Sequence, residues 1–167
     1  MRYDTHLAMT MAVGSGLSYF QQDTTFTALY IGGLVLGSLL PDIDEPSSFI
    51  GRRLPFFSRP VKRLFGHRGI THSVLSWLLL VYVLSSYTNL FVLGLVTGYG
   101  VHLLGDLFSK RSIPLLAPLS GFRLKMPITY KSSGLFENTV LFISVIVTIY
   151  YFFQGSLLEE LLKNIGI

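Results

Sequence analysis

The chain has 167 residues, of which 50% are hydrophobic and only 13% are charged, and its mean hydropathy is +0.56. About a quarter of the residues in an average soluble domain are charged, so this composition argues against a soluble fold and indicates an integral membrane protein of one domain, residues 1–167. The chain contains no cysteine, which excludes a disulfide framework and a thiolate metal site. The net charge of +4 fits basic loops that face the cytoplasm and anionic lipid headgroups.

Five apolar runs follow one another along the chain and predict an all-α, integral membrane helical bundle. They cover residues 5–20, 26–40, 72–87, 90–108 and 137–153, and a short amphipathic tail follows at 157–165. At about 1.5 Å per residue the first run spans only about 24 Å, so we expect about five transmembrane or half-inserted helices. Glycines recur in the second and fourth runs, where they predict close helix packing, either within the fold or in a homodimer.

Two basic loops separate these runs. The first, residues 46–66, alternates Arg and Lys with large apolar residues and contains several prolines, so it predicts short interfacial helices whose charges lie among lipid headgroups. Basic residues interleaved with aromatics also occur in nucleic-acid-binding segments, but the membrane helices on either side argue against nucleic acid as a partner. In the second loop, 109–134, the alternation at 122–126 predicts a short strand or hairpin.

The basic residues also orient the bundle in the membrane. If each run crosses once, every Lys and Arg except Lys163 lies on one side, which the positive-inside rule makes cytoplasmic. The histidines and most of the carboxylates at the ends of the runs then fall on that same side. Because charge bias alone fixes the sides, this convergence predicts a single site at the cytoplasmic face of a multi-pass membrane protein.

Several residues at that face have the spacing of metal ligands. His102 and Asp106 are four apart and share one helix face, while His67 and His72 are five apart with Gly69 between them to permit a turn. Imidazole and carboxylate ligands suit zinc, manganese or iron. Three or four such ligands with an open coordination position would let the metal activate a water for attack on an ester or phosphoester.

Further candidates come from the ends of the other runs. Asp42 and Asp44 directly follow the second run, where carboxylates at a helix C-terminus need a counter-charge, and Arg68 could pair with a substrate phosphate. For several of the candidate residues a purely structural role stays open as an alternative to metal or substrate binding. Asp42 and Asp44 could cap a loop or pair with arginines, Glu137 could be an acid favoured at a helix N-terminus, and an isolated histidine such as His6 is more often hydrogen-bonded than ligating.

Four segments carry a family resemblance. They are Thr5-His6, the stretch GSLLPDID at 37–44, the stretch HRGITHS at 67–73 and the stretch GYGVHLLGD at 98–106. Together they resemble a bacterial and archaeal family of inner-membrane metal-dependent hydrolases, some of them under LexA control, that is distantly similar to zinc-dependent phospholipase C. The resemblance implies one to three divalent ions, zinc first among them. The ligands that it implies are His6, Asp42, His67, His72, His102 and Asp106, with Asp44 as a further ligand or base.

We therefore expect a metal-dependent hydrolase, phospholipase C-like or phosphatase-like, that cleaves a phosphoester or related bond of a membrane lipid or lipid-linked substrate. Asp44 or Glu137 would orient the attacking water, and Arg68 would hold the phosphate. The alternative is a non-catalytic membrane regulator or scaffold with a structural metal, which a saturated coordination shell would distinguish. A transporter or channel fits less well, because its pathway would need charged groups near the membrane midplane.

Overall fold

The computed structural model describes residues 1–21, 26–66, 68–109, 112–124, 126, 129–130 and 132–154. Within these ranges the chain forms six α-helices, two short 3₁₀ helices and one pair of two-residue strands. The α-helices are α1 (Tyr3–Phe20), α2 (Ala28–Leu39), α3 (Pro55–Phe65), α4 (Val74–Leu84), α5 (Leu90–Leu107) and α6 (Leu135–Gln154). The 3₁₀ helices are Leu40–Asp44 and Ile70–His72, and the antiparallel strands are β1 (Ile113–Pro114) and β2 (Arg123–Leu124).

The helical class predicted from the apolar runs is confirmed, and polar side chains determine where three of the helices begin. The side chains of Thr27, Ser73 and Asn89 each accept a hydrogen bond from a backbone N–H of the first turn that follows. Such caps satisfy donors that have no partner inside the helix. For this reason α4 begins at Val74 rather than at His72, which instead closes the preceding 3₁₀ turn.

Two of the described helices, α5 and α6, are long and apolar enough to cross a membrane. The others are shorter or more polar. The 12 residues of α2 and the 11 residues of α4 extend only about 18 and 16 Å, against a hydrocarbon core of roughly 30 Å. The structure therefore supports two candidate crossings, and the expectation of five stays a prediction.

Helices α2 and α5 touch backbone to backbone through glycines. A Cβ placed on Gly37 would overlap the carbonyl oxygen of Leu95, and one placed on Gly98 would overlap the carbonyl oxygen of Leu34. Gly33 and Gly94 repeat this contact one turn away, so each helix contributes two glycines spaced four residues apart, which is a common arrangement for close helix pairs in membranes. These four glycines, which could have served a dimer, are used within the chain.

The apolar core lies at one end of the bundle, and the outer surface is also apolar. Phe26, Tyr30 and Leu34 are buried together between α1, α5 and α6. By contrast α4 buries no residue, and large side chains of α6 such as Phe142 and Phe153 are exposed by 67% and 72%. In a bilayer these exposed side chains face lipid, so the fold needs only a small internal core.

The two basic loops contain one helix and one hairpin. In the first loop α3 begins at Pro55 and continues through Pro60. This part of the loop is therefore one short α-helix rather than several helical pieces. In the second loop the predicted strand at 122–126 is found as β2, where Ile113 pairs with Leu124 and Pro114 with Arg123. The predicted amphipathic tail at 157–165 lies outside the described residues.

Replacing Gly37 with Ala tests the backbone contact between α2 and α5. The added methyl group must push the helices apart, and overpacking of this kind costs about 1–3 kcal/mol. We expect Gly37→Ala to lower the thermal unfolding midpoint of the detergent-solubilised protein, as measured by circular dichroism. The matched control is Gly32→Ala on the same helix, whose new Cβ would find its nearest neighbour 4.0 Å away in Phe91. Equal midpoints for the two variants would contradict the contact.

Candidate metal centre

Five of the predicted ligands meet at the end of the bundle opposite the apolar core. His6 comes from α1, Asp42 from the 3₁₀ helix after α2, His72 from the second 3₁₀ helix, and His102 and Asp106 from α5. Four of the five side chains are at most 1% exposed, and only the side chain of Asp42, at 20%, reaches the surface. His67 lies outside the described residues.

The orientation of His102 is set by α2. Its Nδ1 lies 2.6 Å from the carbonyl oxygen of Ser38. A carbonyl oxygen can only accept, so Nδ1 must carry the proton, and Nε2 keeps its lone pair. That nitrogen faces Asp42 Oδ1 at 3.8 Å and Asp106 Oδ2 at 3.7 Å. A backbone partner on one ring nitrogen, with the other turned to carboxylates, is the usual arrangement of a metal-ligating histidine.

His72 is oriented in the same way by a carboxylate. Its Nδ1 lies 3.1 Å from Asp44 Oδ2, while its Nε2 lies 3.4 Å from Asp42 Oδ1 and 3.5 Å from Asp106 Oδ2. The same Asp44 oxygen accepts the hydroxyl of Thr71 at 2.6 Å. Asp44 therefore lies behind His72, where it positions the imidazole and is turned away from the other carboxylates.

His6 completes the cluster from the side of α1. Its ring stacks on that of His102, with centroids 3.7 Å apart and an angle of 8° between the planes, and its Nε2 lies 3.5 Å from Asp106 Oδ1. The ring fits there because residue 105 is glycine: a Cβ at Gly105 would stand 3.3 Å from His6 Nδ1. The small residue thus allows α1 and α5 to bring their ligands side by side.

The spacing of these atoms suits a metal ion better than hydrogen bonds. The distances from the imidazole nitrogens to the carboxylate oxygens of Asp42 and Asp106 run from 3.4 to 3.8 Å, longer than the roughly 2.7–3.2 Å of a good hydrogen bond. Two ligands about 2.1 Å from one tetrahedral ion are about 3.4 Å apart. Two triplets, His6–His102–Asp106 and Asp42–His72–His102, have ligand atoms that all lie within 4.8 Å of one another.

Several of these ligand atoms lack a partner within the protein. His6 Nδ1, His102 Nε2 and Asp106 Oδ2 are fully buried and have no hydrogen-bond partner among the described residues. An unsatisfied buried polar group costs about 1–3 kcal/mol of folding free energy, so three such atoms in one cluster are unusually unfavourable. A cation bound between His102 Nε2 and Asp106 Oδ2, which lie 3.7 Å apart, would satisfy both of these atoms, and the residues present therefore fit a divalent metal.

Arg68 points into the cluster rather than toward solvent. Its guanidinium donates to Asp106 Oδ1 at 2.7 Å and to the Ser109 hydroxyl at 2.6 Å, and its backbone N–H donates to Asp44 Oδ2 at 2.9 Å. Its φ of 57° lies in the left-handed region, which non-glycine residues seldom adopt. The strained turn places the guanidinium of Arg68 on Asp106 and its backbone N–H on Asp44, while the predicted contact of Arg68 with a substrate phosphate stays a prediction.

Glu137 lies away from the cluster, at the start of α6. Its Oε1 accepts the backbone N–H of Arg2 at 2.6 Å, and its Oε2 accepts the backbone N–H of Ser133. These bonds tie the beginning of α1 to the beginning of α6. The side chain is buried and occupied by backbone donors, so the structure gives it a position in helix anchoring and none beside Asp42 or Asp106.

The charges of Asp42 and His72 reinforce each other. Burial alone would raise the pKa of Asp42, but the adjacent imidazole of His72 and the charges of the other imidazoles lower that pKa to about 2. Burial would likewise lower the pKa of His72, but the adjacent carboxylates of Asp42 and Asp44 raise that pKa to about 9. Without metal the pair is therefore ionised at neutral pH, and a bound metal would take the place of the proton on His72.

A polar cavity of about 400 Å³ opens beside Asp42. Its wall includes Arg52, Ser47 and Ser48 from the first basic loop, together with Arg68 from the turn that precedes α4. Tyr3 and Phe49 stack on one another at another part of the same wall, with ring centroids 4.8 Å apart. The most exposed ligand of the cluster thus faces a space large enough for a small polar group.

Sequence reasoning missed the residues that orient the ligands. Ser38 acts through its backbone carbonyl, Thr71 and Ser109 through hydroxyls, and the Tyr99 hydroxyl donates to the Thr71 carbonyl. A backbone carbonyl leaves no mark on the residue type, so Ser38 could not have been found. Thr71 could have been suspected, because it directly precedes a candidate ligand.

The chain is similar to a family of inner membrane proteins and to several bacterial relatives. A family model described as YdjM inner membrane protein matches residues 1–161. The inner membrane protein YdjM of Escherichia coli (strain K12) is 41% identical over 107 residues, which are 60% of this chain and 54% of that protein. The protein YvsG of Bacillus subtilis (strain 168) is 36% identical over 122 residues, or 71% of this chain and 75% of the relative.

The match to the Shigella flexneri protein of the same name has the same identity and coverage as the match to the Escherichia coli protein, so the chain spans about half the length of these two relatives. The names of the Escherichia coli and Shigella flexneri relatives state a location in the inner membrane, and none of the three names states a reaction. No solved structure matches the chain at a significant level.

Replacing Arg68 with Ala tests the charge balance of the cluster. The change leaves Asp106 as a buried charge without its guanidinium partner, and breaking such a pair costs about 3 kcal/mol or more. We expect Arg68→Ala, measured in the presence of a chelator, to unfold at much lower temperature than the parent chain. Arg63→Ala removes an exposed arginine of α3 and should change the midpoint little. A midpoint for Arg68→Ala equal to that of Arg63→Ala would contradict the role given to the guanidinium.

Proposed function

The chain belongs to the YdjM inner membrane protein family, and we propose that it is a metal-dependent hydrolase that cleaves a phosphoester or related bond of a lipid-like substrate. The observation that carries the proposal is the cluster of buried imidazole and carboxylate atoms with the spacing of a tetrahedral ion's ligands. The polar cavity beside its most exposed member supports a substrate-accessible site.

His6, Asp42, His72, His102 and Asp106 are the residues that would hold the metal. Asp106 offers one oxygen to His6 and the other to His72 and His102, so its carboxylate could bridge two ions. Zinc is the first candidate, with manganese or iron next, since the donors are nitrogen and oxygen without sulfur. A divalent ion there would supply an activated water and polarise a phosphoryl oxygen, which is the chemistry of metal-assisted phosphoester hydrolysis.

The remaining residues have positioning roles in this proposal. Asp44 keeps the proton of His72 on Nδ1, so that Nε2 is available to the metal. Arg68 orients Asp106 and offsets part of the negative charge, and Ser109 holds Arg68 in turn. Asp42 is both a ligand and part of the cavity wall, so a substrate would approach from its side.

The test of the metal site is metal content, measured by mass spectrometry on protein purified in detergent. We expect near-stoichiometric zinc, manganese or iron in the parent chain and at least a tenfold loss in His102→Ala and in Asp42→Asn. The matched control is Glu45→Gln, which neutralises another carboxylate of the same cavity that binds Lys62 rather than the cluster. Full metal occupancy in His102→Ala would remove the basis of the assignment.

Turnover is tested on the same proteins in phospholipid nanodiscs. Release of inorganic phosphate or of a water-soluble phosphorylated headgroup should occur with the parent chain. Release should fall at least a hundredfold in Asp42→Asn and after chelation, and it should return when zinc is added to the chelated parent protein. Bound metal without release from any phospholipid or lipid-linked phosphate would favour the second candidate function, described next.

That second candidate is a membrane regulator or scaffold in which the metal only joins the helix ends. Its supporting observation is the burial of the cluster, in which four side chains are at most 1% exposed. Five donors could also fill the coordination shell and leave no position for water. In that case removal of the metal would lower the unfolding midpoint strongly, while no phospholipid would be consumed.

We further propose that the metal centre faces the cytoplasm in a multi-pass arrangement, because most Lys and Arg residues of the sequence lie in the two loops whose flanking segments carry the predicted ligands. The cysteine-free chain allows a direct test with a membrane-impermeant maleimide. A cysteine at Gly121, in the loop on the cluster side, should react in inverted membrane vesicles and not in spheroplasts. A cysteine at Tyr87, exposed between α4 and α5, should show the opposite pattern. The reverse result for both positions would contradict the orientation.

A further inference from the structure

Helix α3 has an exposed apolar face. Phe56, Phe57 and Leu64 are 89%, 64% and 74% exposed. At about 100° of rotation per residue these three side chains fall within roughly a third of the helix circumference. Large aromatic and aliphatic side chains that share one face and are mostly exposed mark a surface that is covered by something else.

The opposite face of α3 fixes the helix to the bundle. Ser58 is fully buried, and Lys62 Nζ lies 2.9 and 2.8 Å from the two carboxylate oxygens of Glu45. Glu45 directly follows the 3₁₀ helix that carries Asp42 and Asp44. Because Ser58 and Lys62 face the protein, Phe56 and Leu64 cannot turn inward without breaking the ion pair.

Positive charge borders the apolar face. Arg59 and Arg63 lie along one edge of α3, and Arg52 and Arg53 come just before it. The helix itself contains no acidic residue. An amphipathic helix with aromatic and aliphatic residues on one side and arginines beside them is the kind that lies in the surface of an anionic membrane. A second copy of the chain would bring the same positive charge to the contact and would be repelled.

We propose that α3 lies in the plane of the membrane surface and binds anionic lipid there. Phe56, Phe57 and Leu64 enter the boundary between headgroups and acyl chains, and Arg59 and Arg63 contact the lipid phosphates. The ion pair of Lys62 with Glu45, which lines the cavity beside Asp42, then holds that cavity at headgroup level. The proposal stands independently of the hydrolase activity.

The experiment uses single-cysteine variants of the full chain, which has no cysteine of its own, labelled with an environment-sensitive nitrobenzoxadiazole dye. Phe56→Cys reports the apolar face of α3. Ile143→Cys, on the exposed side of α6, is the control for a lipid-facing position, and Gly121→Cys is the control for a loop in water. Each protein is reconstituted in nanodiscs of phosphatidylcholine alone or with phosphatidylglycerol, with and without a lipid that carries a nitroxide quencher.

The expected result is a blue-shifted emission from the dye at position 56. In phosphatidylglycerol nanodiscs the lipid quencher should lower the intensity of that emission at least twofold, and in phosphatidylcholine nanodiscs the quenching should be weaker. Adding Arg59→Glu and Arg63→Glu to Phe56→Cys should bring quenching in the anionic nanodiscs down to the phosphatidylcholine level, while the dye at position 143 stays unchanged. That control also shows that the charge-reversed protein remains folded in the bilayer.

Three results would overturn the proposal. A dye at position 56 that stays as exposed to water as the dye at position 121, in both kinds of nanodisc, would show that the face does not enter the membrane. A blue-shifted dye that lipid cannot quench would show that a protein surface covers the face instead. Quenching that is equal in the two lipids and unaffected by charge reversal would remove the requirement for anionic lipid.

Discussion

The backbone contact between α2 and α5 sets the orientation of His102 in the candidate metal centre. Glycines at positions 37 and 98 let the two helices approach until carbonyl oxygens fill the space of missing side chains. One turn beyond Gly98, this closeness brings His102 Nδ1 to the Ser38 carbonyl at 2.6 Å. A larger residue in the contact would separate the helices, and His102 would then lose both its orientation and its distance to Asp42.

A second constraint follows from placing charge at the end of an apolar bundle. The carboxylates of Asp42, Asp44 and Asp106 meet close to the guanidinium of Arg68, and the Met1 amine lies 3.2 Å from Asp106. Buried carboxylates are costly unless each is paired. The left-handed turn at Arg68 allows one residue to donate to two of the acids, and without metal the protonated His72 supplies a third positive charge. A divalent ion would take the place of that proton.

The sequence predicted those features of the fold and the candidate site that depend on residues close together along the chain, and it did not predict those that depend on residues far apart. The helical runs and the shared face of His102 and Asp106 follow from spacing along one helix, and both are found in the structure. The position of Asp44 behind His72, the inward direction of Arg68 and the anchoring role of Glu137 depend on contacts between segments 24 or more residues apart. Residue type and spacing carry no signal for those contacts, so a carboxylate that binds metal and one that positions a histidine look alike in the sequence.

Exposure within the cluster limits what chemistry it can perform. A site that only joins helices gains from complete burial, as seen for His6, His72, His102 and Asp106, since water then competes least for the ion. A catalytic site must leave one side open to its substrate. Asp42 is the one ligand of the described cluster with appreciable exposure, at 20%, and it borders the polar cavity that also includes Arg52 and Glu45. Lys62 binds Glu45 from α3, whose apolar face points away from the bundle. The approach to the ligands therefore lies beside the helix best suited to the membrane surface, and this position favours a substrate presented by the bilayer over one that diffuses in from the aqueous phase.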